Sequence, residues 1–177
     1  IAWRNDNGAV TSWVSTGTGF NGQGRDYYGV DAAWKIVNEG YPEFRGTAGN
    51  DTISGGNGSN VLRGFAGDDV LSGRNDADAI FGGEGVDRLR GNAGADYLYG
   101  GMGNDALFGG RDIDVLSGDG GNDRLTGDYG ADTLFGGDGT DLFYFDRATA
   151  GSDGGTGLAH DTIMDFAMGD VIHFGGG

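Results

Sequence analysis

The chain has no cysteine, so it can hold neither a disulfide scaffold nor a thiolate zinc site. It has one proline in 177 residues, which excludes a collagen-type triple helix although 41 residues are glycine. No apolar run approaches the roughly 20 residues that a membrane-spanning helix needs. Basic residues are scarce: 11 Lys and Arg stand against 27 Asp and Glu, for a formal charge of −16, and such a surface repels nucleic acid. There are two histidines, His160 and His173, and neither an H-E-x-x-H zinc helix nor a G-x-S-x-G nucleophile elbow. No catalytic residue is therefore assigned. Ile1 follows no Met and no signal-peptide pattern, so the chain reads as a piece of a larger protein.

What is abundant is glycine and aspartate, and both are periodic. Glycine recurs every ninth residue at Gly46, Gly55, Gly64, Gly73, Gly82, Gly91, Gly100, Gly109, Gly118, Gly127 and Gly136, defining 11 uninterrupted nonapeptides that end at Tyr144. The sixth place of each holds Asp51, Asn60, Asp69, Asp78, Asp87, Asp96, Asp105, Asp114, Asp123, Asp132 and Asp141 in turn. The eighth place is always large and apolar, from Ile53 and Leu62 to Leu134 and Phe143.

Each place has a physical task. Places one to six are expected to form a turn, with glycine at one and four reaching positive φ and letting carbonyls approach an ion. Asp at six adds a charged oxygen of the kind hard cations prefer. Places seven to nine are expected to form a three-residue strand whose middle side chain faces inward. One repeat cannot bury its single Leu, whereas coils stacked about 4.8 Å apart pile these side chains into a continuous ladder. Carboxylates recur so regularly that a glycosidase pair cannot be singled out, and metal ligation explains them better.

Stretches such as Gly100-Gly101-Met102-Gly103-Asn104-Asp105-Ala106-Leu107-Phe108 resemble the RTX nonapeptide, G-G-x-G-x-D-x-U-x. The resemblance implies an all-β fold: a parallel β-roll with two nonapeptides per coil, small β caps at both ends, and calcium held between turns 18 residues apart. It makes two columns of sixth-place ligands. Asp51, Asp69, Asp87, Asp105, Asp123 and Asp141 form one; Asn60, Asp78, Asp96, Asp114 and Asp132 form the other. The first-place glycines Gly46, Gly64, Gly82, Gly100 and Gly118, with Gly55, Gly73, Gly91, Gly109 and Gly127, join the expected metal site through their backbone. Six and five members leave nine gaps, so the expected load is roughly five to nine calcium ions.

The magnitudes agree. Carboxylates stacked about 5 Å apart repel by roughly 1 kcal/mol in water and by more where partly buried. Nine divalent ions would bring 18 positive charges against the formal −16. Extracellular calcium modules bind at about 0.1 to 1 mM, so the chain is expected to be disordered in the cell and to fold outside. The resemblance further implies a secreted or surface location, type I secretion from a Gram-negative bacterium, and upstream catalytic or adhesive domains; the closing Gly175-Gly176-Gly177 shows no clear secretion signal.

Departures from the pattern carry local expectations. Asn60 supplies no charge, so the gap to Asp78 should be the weakest of its column, and Asp76 at place four is a candidate to compensate it. Phe65 and Tyr129 read as surface variation. Three segments are expected: 1–45 as an N-terminal β segment, 46–144 as the roll and 145–177 as a capping segment. In the last, Asp161 to Phe174 reads as two strands around a turn and resembles the cap that follows RTX arrays, with Ile163, Phe166, Ile172 and Phe174 as plug residues closing the ladder. Residues 151–157 read as a flexible loop. Residues 1–45 read as strands at Ala2-Trp3-Arg4, Val10 to Val14 and Ala33 to Val37 and resemble one FG-GAP or VCBS-type repeat, with Trp3, Trp13 and Trp34 as core. A second functional reading is adhesion, with Phe81, Tyr97, Tyr99 and Phe135 on one outer face as the surface for a glycan or protein target.

Overall fold

The computed structural model describes residues 2–4, 10–12, 33–36, 41–146 and 160–175. Its strands are β1 (Ala2–Arg4), β2 (Val10–Ser12), β3 (Ala33–Ile36), β4 (Pro42–Arg45), β5 (Thr52–Ser54), β6 (Val61–Ala66), β7 (Val70–Asn75), β8 (Ala79–Glu84), β9 (Arg88–Ala93), β10 (Tyr97–Met102), β11 (Ala106–Arg111), β12 (Val115–Gly120), β13 (Arg124–Tyr129), β14 (Thr133–Asp138), β15 (Leu142–Asp146), β16 (Thr162–Ile163) and β17 (Val171–Gly175). From β4 onward, successive strands fall alternately into two sheets, each strand pairing in parallel with the one two before it. The eight-stranded sheet runs β16-β14-β12-β10-β8-β6-β4-β3 and the seven-stranded sheet β17-β15-β13-β11-β9-β7-β5. This is a parallel β-roll with two nonapeptides per coil, and no described residue is helical.

Register is exact to 18 residues. Leu98 pairs with Ile80 on one side and Leu116 on the other, and Leu107 pairs likewise with Leu89 and Leu125. Every eighth-place side chain thereby lands between the sheets. Ile53 is 3% exposed, and the ten others from Leu62 to Phe143 are fully buried in one cluster. Removing apolar area from water at about 25 cal/mol per Å² is the main stabilising contribution such a ladder makes.

Two expectations about the nonapeptide change. Most strands of the array hold six residues, places seven to nine plus one to three of the next repeat, so the turn is only places four to six. Positive φ falls at places two and four, as at Gly101 (111°) and Gly103 (134°), and not at place one. Non-glycine residues bear it too: Phe65 has φ 85° and Asp76 has φ 63°. Phe65 is thus a sterically disfavoured residue at a left-handed position rather than neutral variation, and its ring carries the Arg45 guanidinium at 4.9 Å.

The C-terminal segment holds the two expected strands around a turn, but they do not pair with each other. β16 adds to β14 and β17 adds to β15, each in parallel, so the segment forms a last coil of the roll. Of the plug residues, Ile163 packs on the core and Phe166 approaches Phe143 at 6.2 Å. Ile172 and Phe174 are exposed, because β17 is the edge strand of its sheet among the described residues. β1 and β2 pair in a sheet of their own, and at the other end of the roll β3 pairs antiparallel with β4, covering that strand's outer edge. The three tryptophan side chains and the 151–157 loop lie outside the described residues.

Candidate metal centre

The place-six residues form two columns because the turns stack with the strands. Within each column the backbone N–H of one member donates to Oδ1 of the next: Asp51 to Asp69 at 2.7 Å, Asp69 to Asp87 at 2.8 Å, Asp87 to Asp105 at 2.7 Å. The second column repeats this from Asn60 to Asp78 at 2.6 Å through Asp114 to Asp132 at 2.8 Å. One carboxylate therefore spans each of the nine gaps.

Its other oxygen is what makes the site. Oδ2 of Asp69, Asp78, Asp87, Asp96, Asp105, Asp114, Asp123, Asp132 and Asp141 is buried and has no hydrogen-bond partner. A buried, unpartnered carboxylate oxygen is costly, and nine in register exceed what a folded protein tolerates without compensation. The first member of each column is different. Asp51 Oδ2 accepts from the Thr47 N–H at 2.6 Å and its hydroxyl at 3.0 Å, while Asn60 Oδ1 accepts from the Gly56 N–H at 2.7 Å. Both turn back onto their own turn.

Place-one glycines complete the cradle. A Cβ on Gly100 would meet Asp105 Oδ2 at 2.5 Å and the Gly118 carbonyl oxygen at 2.8 Å, so two acceptors of neighbouring coils converge there. Gly64, Gly82, Gly91, Gly109 and Gly118 face the same pair of groups. Glycine is required at place one by this close approach rather than by φ.

Burial raises the carboxyl pKa values of the columns from Asp69 and Asp78 onward. Asp114 is pushed up to about 8 by desolvation, then by Asp132, Asp96 and Asp112, against the lowering effect of the Asp96 N–H. Asp78 and Asp105 rise to about 7, and Asp69, Asp96 and Asp123 to about 6, with desolvation the largest cause each time. Desolvated, mutually repelling oxygens arrayed beside carbonyls suit an oxygen-loving divalent cation.

The columns continue past the array. Asp132 N–H donates to Asp161 Oδ1 at 3.0 Å and Asp141 N–H to Asp170 Oδ1 at 3.0 Å, both 29 residues apart. Asp165 takes the N–H groups of Gly136 and Gly137 at 2.8 and 3.0 Å. The nine-residue period misses these three because an insertion precedes them. The triplets Asp161-Thr162-Ile163 and Asp170-Val171-Ile172 still repeat the place-six to place-eight pattern of Asp132-Thr133-Leu134, and that was the available signal.

Asp76 reaches toward the coil of Asn60: its Oδ2 accepts the Gly58 N–H at 3.1 Å. Among the outward aromatics, Phe81 and Tyr99 stack on each other at 5.1 Å with Arg63 over Phe81 at 4.3 Å, so their faces are largely engaged within the sheet.

The sequence model of the RTX calcium-binding nonapeptide repeat, built on four copies, matches residues 45–80, 81–116 and 117–148. No curated protein matches the chain.

Proposed function

Because the chain belongs to the RTX calcium-binding nonapeptide repeat family, we propose that its two place-six columns hold a calcium ion in each gap between coils and that the roll folds on loading. The observation that carries this is the set of nine buried Oδ2 atoms without partners, one for each gap. Asp69, Asp87, Asp105, Asp123 and Asp141 would serve one column and Asp78, Asp96, Asp114 and Asp132 the other. Asp51 and Asn60 act as the first-coil ends, with first-place glycine carbonyls as further oxygens.

Calcium supplies the positive charge that these oxygens lack, coupling binding to folding. The chain's own part is geometric. Glycine at place one lets backbone and carboxylate meet, the Oδ1 to N–H bonds fix the carboxylate rotamers, and the Leu ladder holds the coils in register. In this reading residues 46–144 are a non-catalytic repeat module of a secreted bacterial protein, unfolded at cytosolic calcium and folded at external calcium, supporting secretion and folding of the larger chain. No helix of the described residues is long and apolar enough to cross a membrane.

The test is a calcium titration of the purified chain that follows far-ultraviolet circular dichroism and bound ions together. Cooperative folding with roughly five to nine ions is expected, that range being set by the nine gaps. A chain already fully β-structured in chelator, or one binding a single ion, overturns it.

A further inference from the structure

The outer faces of the two sheets treat arginine differently. On the eight-stranded sheet Arg45 and Arg63 both pair with Glu43, at 3.5 and 3.0 Å. The seven-stranded sheet presents places seven and nine of its seven strands outward, and none of those 14 residues is Asp or Glu, in a chain with 27 acids. Three are arginines: Arg88 and Arg90 on β9 and Arg124 on β13. Among the described residues none of the three has a carboxylate within ion-pair distance.

Aromatic rings hold these guanidiniums in place. Arg88, Arg90 and Arg124 lie 4.6, 5.7 and 5.9 Å from the centre of the Phe108 ring, and Arg124 also lies 4.4 Å from that of Tyr144. Cation–π contact restrains the guanidinium groups on the ring, and a restrained guanidinium loses less freedom on taking a carboxylate or sulfate. Arg88 is held below the ordinary arginine value by partial desolvation and then by Arg90 and Arg124, a sign of how closely like charges are gathered here.

We propose that Arg88, Arg90 and Arg124 form a binding strip for a linear anionic polysaccharide bearing carboxylate or sulfate groups. β9 and β13 are two strand spacings, about 10 Å, apart, and their three guanidinium groups gather around the one Phe108 ring between them. A patch of that width matches anionic groups on next-but-one units of an extended sugar chain. A nucleic acid carries denser charge and would meet the repulsion of the −16 chain around so small a patch. The Phe108 ring gives a sugar an apolar contact between the charges. The proposal rests on the calcium-folded roll, since the strip exists only when the coils are stacked.

The test titrates the calcium-loaded chain with chondroitin sulfate, with hyaluronan, which carries carboxylates alone, with uncharged dextran and with an oligothymidylate. Binding of at least one of the two anionic glycans is expected, falling steeply with salt. Arg90→Gln and Arg124→Gln should each weaken it at least tenfold, and Arg63→Gln on the opposite sheet not at all. Equal affinity for both glycans assigns carboxylate recognition; preference for chondroitin sulfate assigns sulfate. Absence of binding to either glycan, equal binding of dextran, an equal loss in Arg63→Gln, or tighter binding of the oligonucleotide through the same arginines overturns the proposal. Circular dichroism in the same samples separates the two readings: a chain that stays unfolded in calcium sinks the roll reading and this one with it, whereas a folded chain without binding sinks this one alone.

Discussion

The Asp132 backbone N–H donates to Asp161 Oδ1 at 3.0 Å across 29 residues, the same bond that Asp114 makes to Asp132 at 2.8 Å across 18. Asp161 thereby acts as the next column member after an 11-residue interruption. The last coil inherits the register of the array through one carboxylate on each side, the other being Asp170 beneath Asp141. The two ends are not equivalent: Asp170 Oδ2 is already engaged by the Ala167 N–H at 2.7 Å, whereas Asp161 adds its repulsion to the burial that holds the Asp132 carboxyl above its ordinary value.

Removing Asp161 should therefore loosen the last coil without melting the array. Asp161→Ala leaves the buried Asp132 N–H without its acceptor, at a cost of about 1 to 3 kcal/mol. Native-state hydrogen exchange should quicken at Asp132 and Thr162 and stay slow at Leu98. Asp161→Asn keeps the accepting oxygen and should protect Asp132 nearly as well as the wild type; equal quickening in both variants would argue against the column role.

First-place glycine should be irreplaceable for a reason unconnected with φ. Gly91→Ala drives a methyl group into Asp96 Oδ2 and the Gly109 carbonyl oxygen, whereas Gly56→Ala enters open space. The Gly91 variant should raise the calcium midpoint severalfold and lose at least one bound ion, and Gly56→Ala should match the wild type. A Gly91→Ala protein with unchanged stoichiometry would mean that the cradle is not an ion site.

Asp76 supplies a carboxylate to the weakest end of its column, where Asn60 brings none. Its φ of 63° is a strained conformation that glycine would relieve, and its Oδ2 accepts the Gly58 N–H. Asp76→Gly should thus stabilise the calcium-saturated roll by up to about 1 kcal/mol through relief of strain, yet raise the midpoint for the first ion of that column. Unchanged calcium midpoint and stoichiometry would remove the compensating role.

The fold was legible because its information is periodic. A glycine, an Asp and a Leu every ninth residue mark turn, ligand and ladder, the RTX resemblance supplies two repeats per coil and hence the columns, and Leu98, Leu107 and Asp105 stand where the two together put them. What escaped had local causes. Glycine is enriched at places one, two and four alike, so sequence alone cannot separate positive φ at Gly101 from close approach at Gly100. Asp161 and Asp170 escaped because an insertion breaks the count. The unpaired arginines of β9 and β13 escaped because charge asymmetry between faces appears only once register assigns alternate repeats to different sheets.

The raised carboxyl pKa values give the ion-free roll a pH dependence opposite to that of a salt-bridged protein. Asp114 sits near 8, Asp78 and Asp105 near 7, and Asp69, Asp96 and Asp123 near 6 in the folded chain, against 3.8 for a free side chain. Between those limits the folded state binds more protons than the unfolded one, so stability is fullest below pH about 4 and drains away as pH rises toward 8. In chelator the chain should be largely unfolded at pH about 7.5 and regain β structure at about 4.5, as protons neutralise the columns in place of calcium. With calcium present the dependence on affinity reverses, because each ion must displace protons: the midpoint should rise as pH falls from 8 to 6, with proton release on binding. Circular dichroism in chelator, together with calcium titrations in buffers of different ionisation enthalpy, checks both arms. A chain equally unfolded at both pH values, with a constant calcium midpoint, would show that these carboxylates do not hold the desolvated, mutually repelling positions from which the ion-binding reading starts.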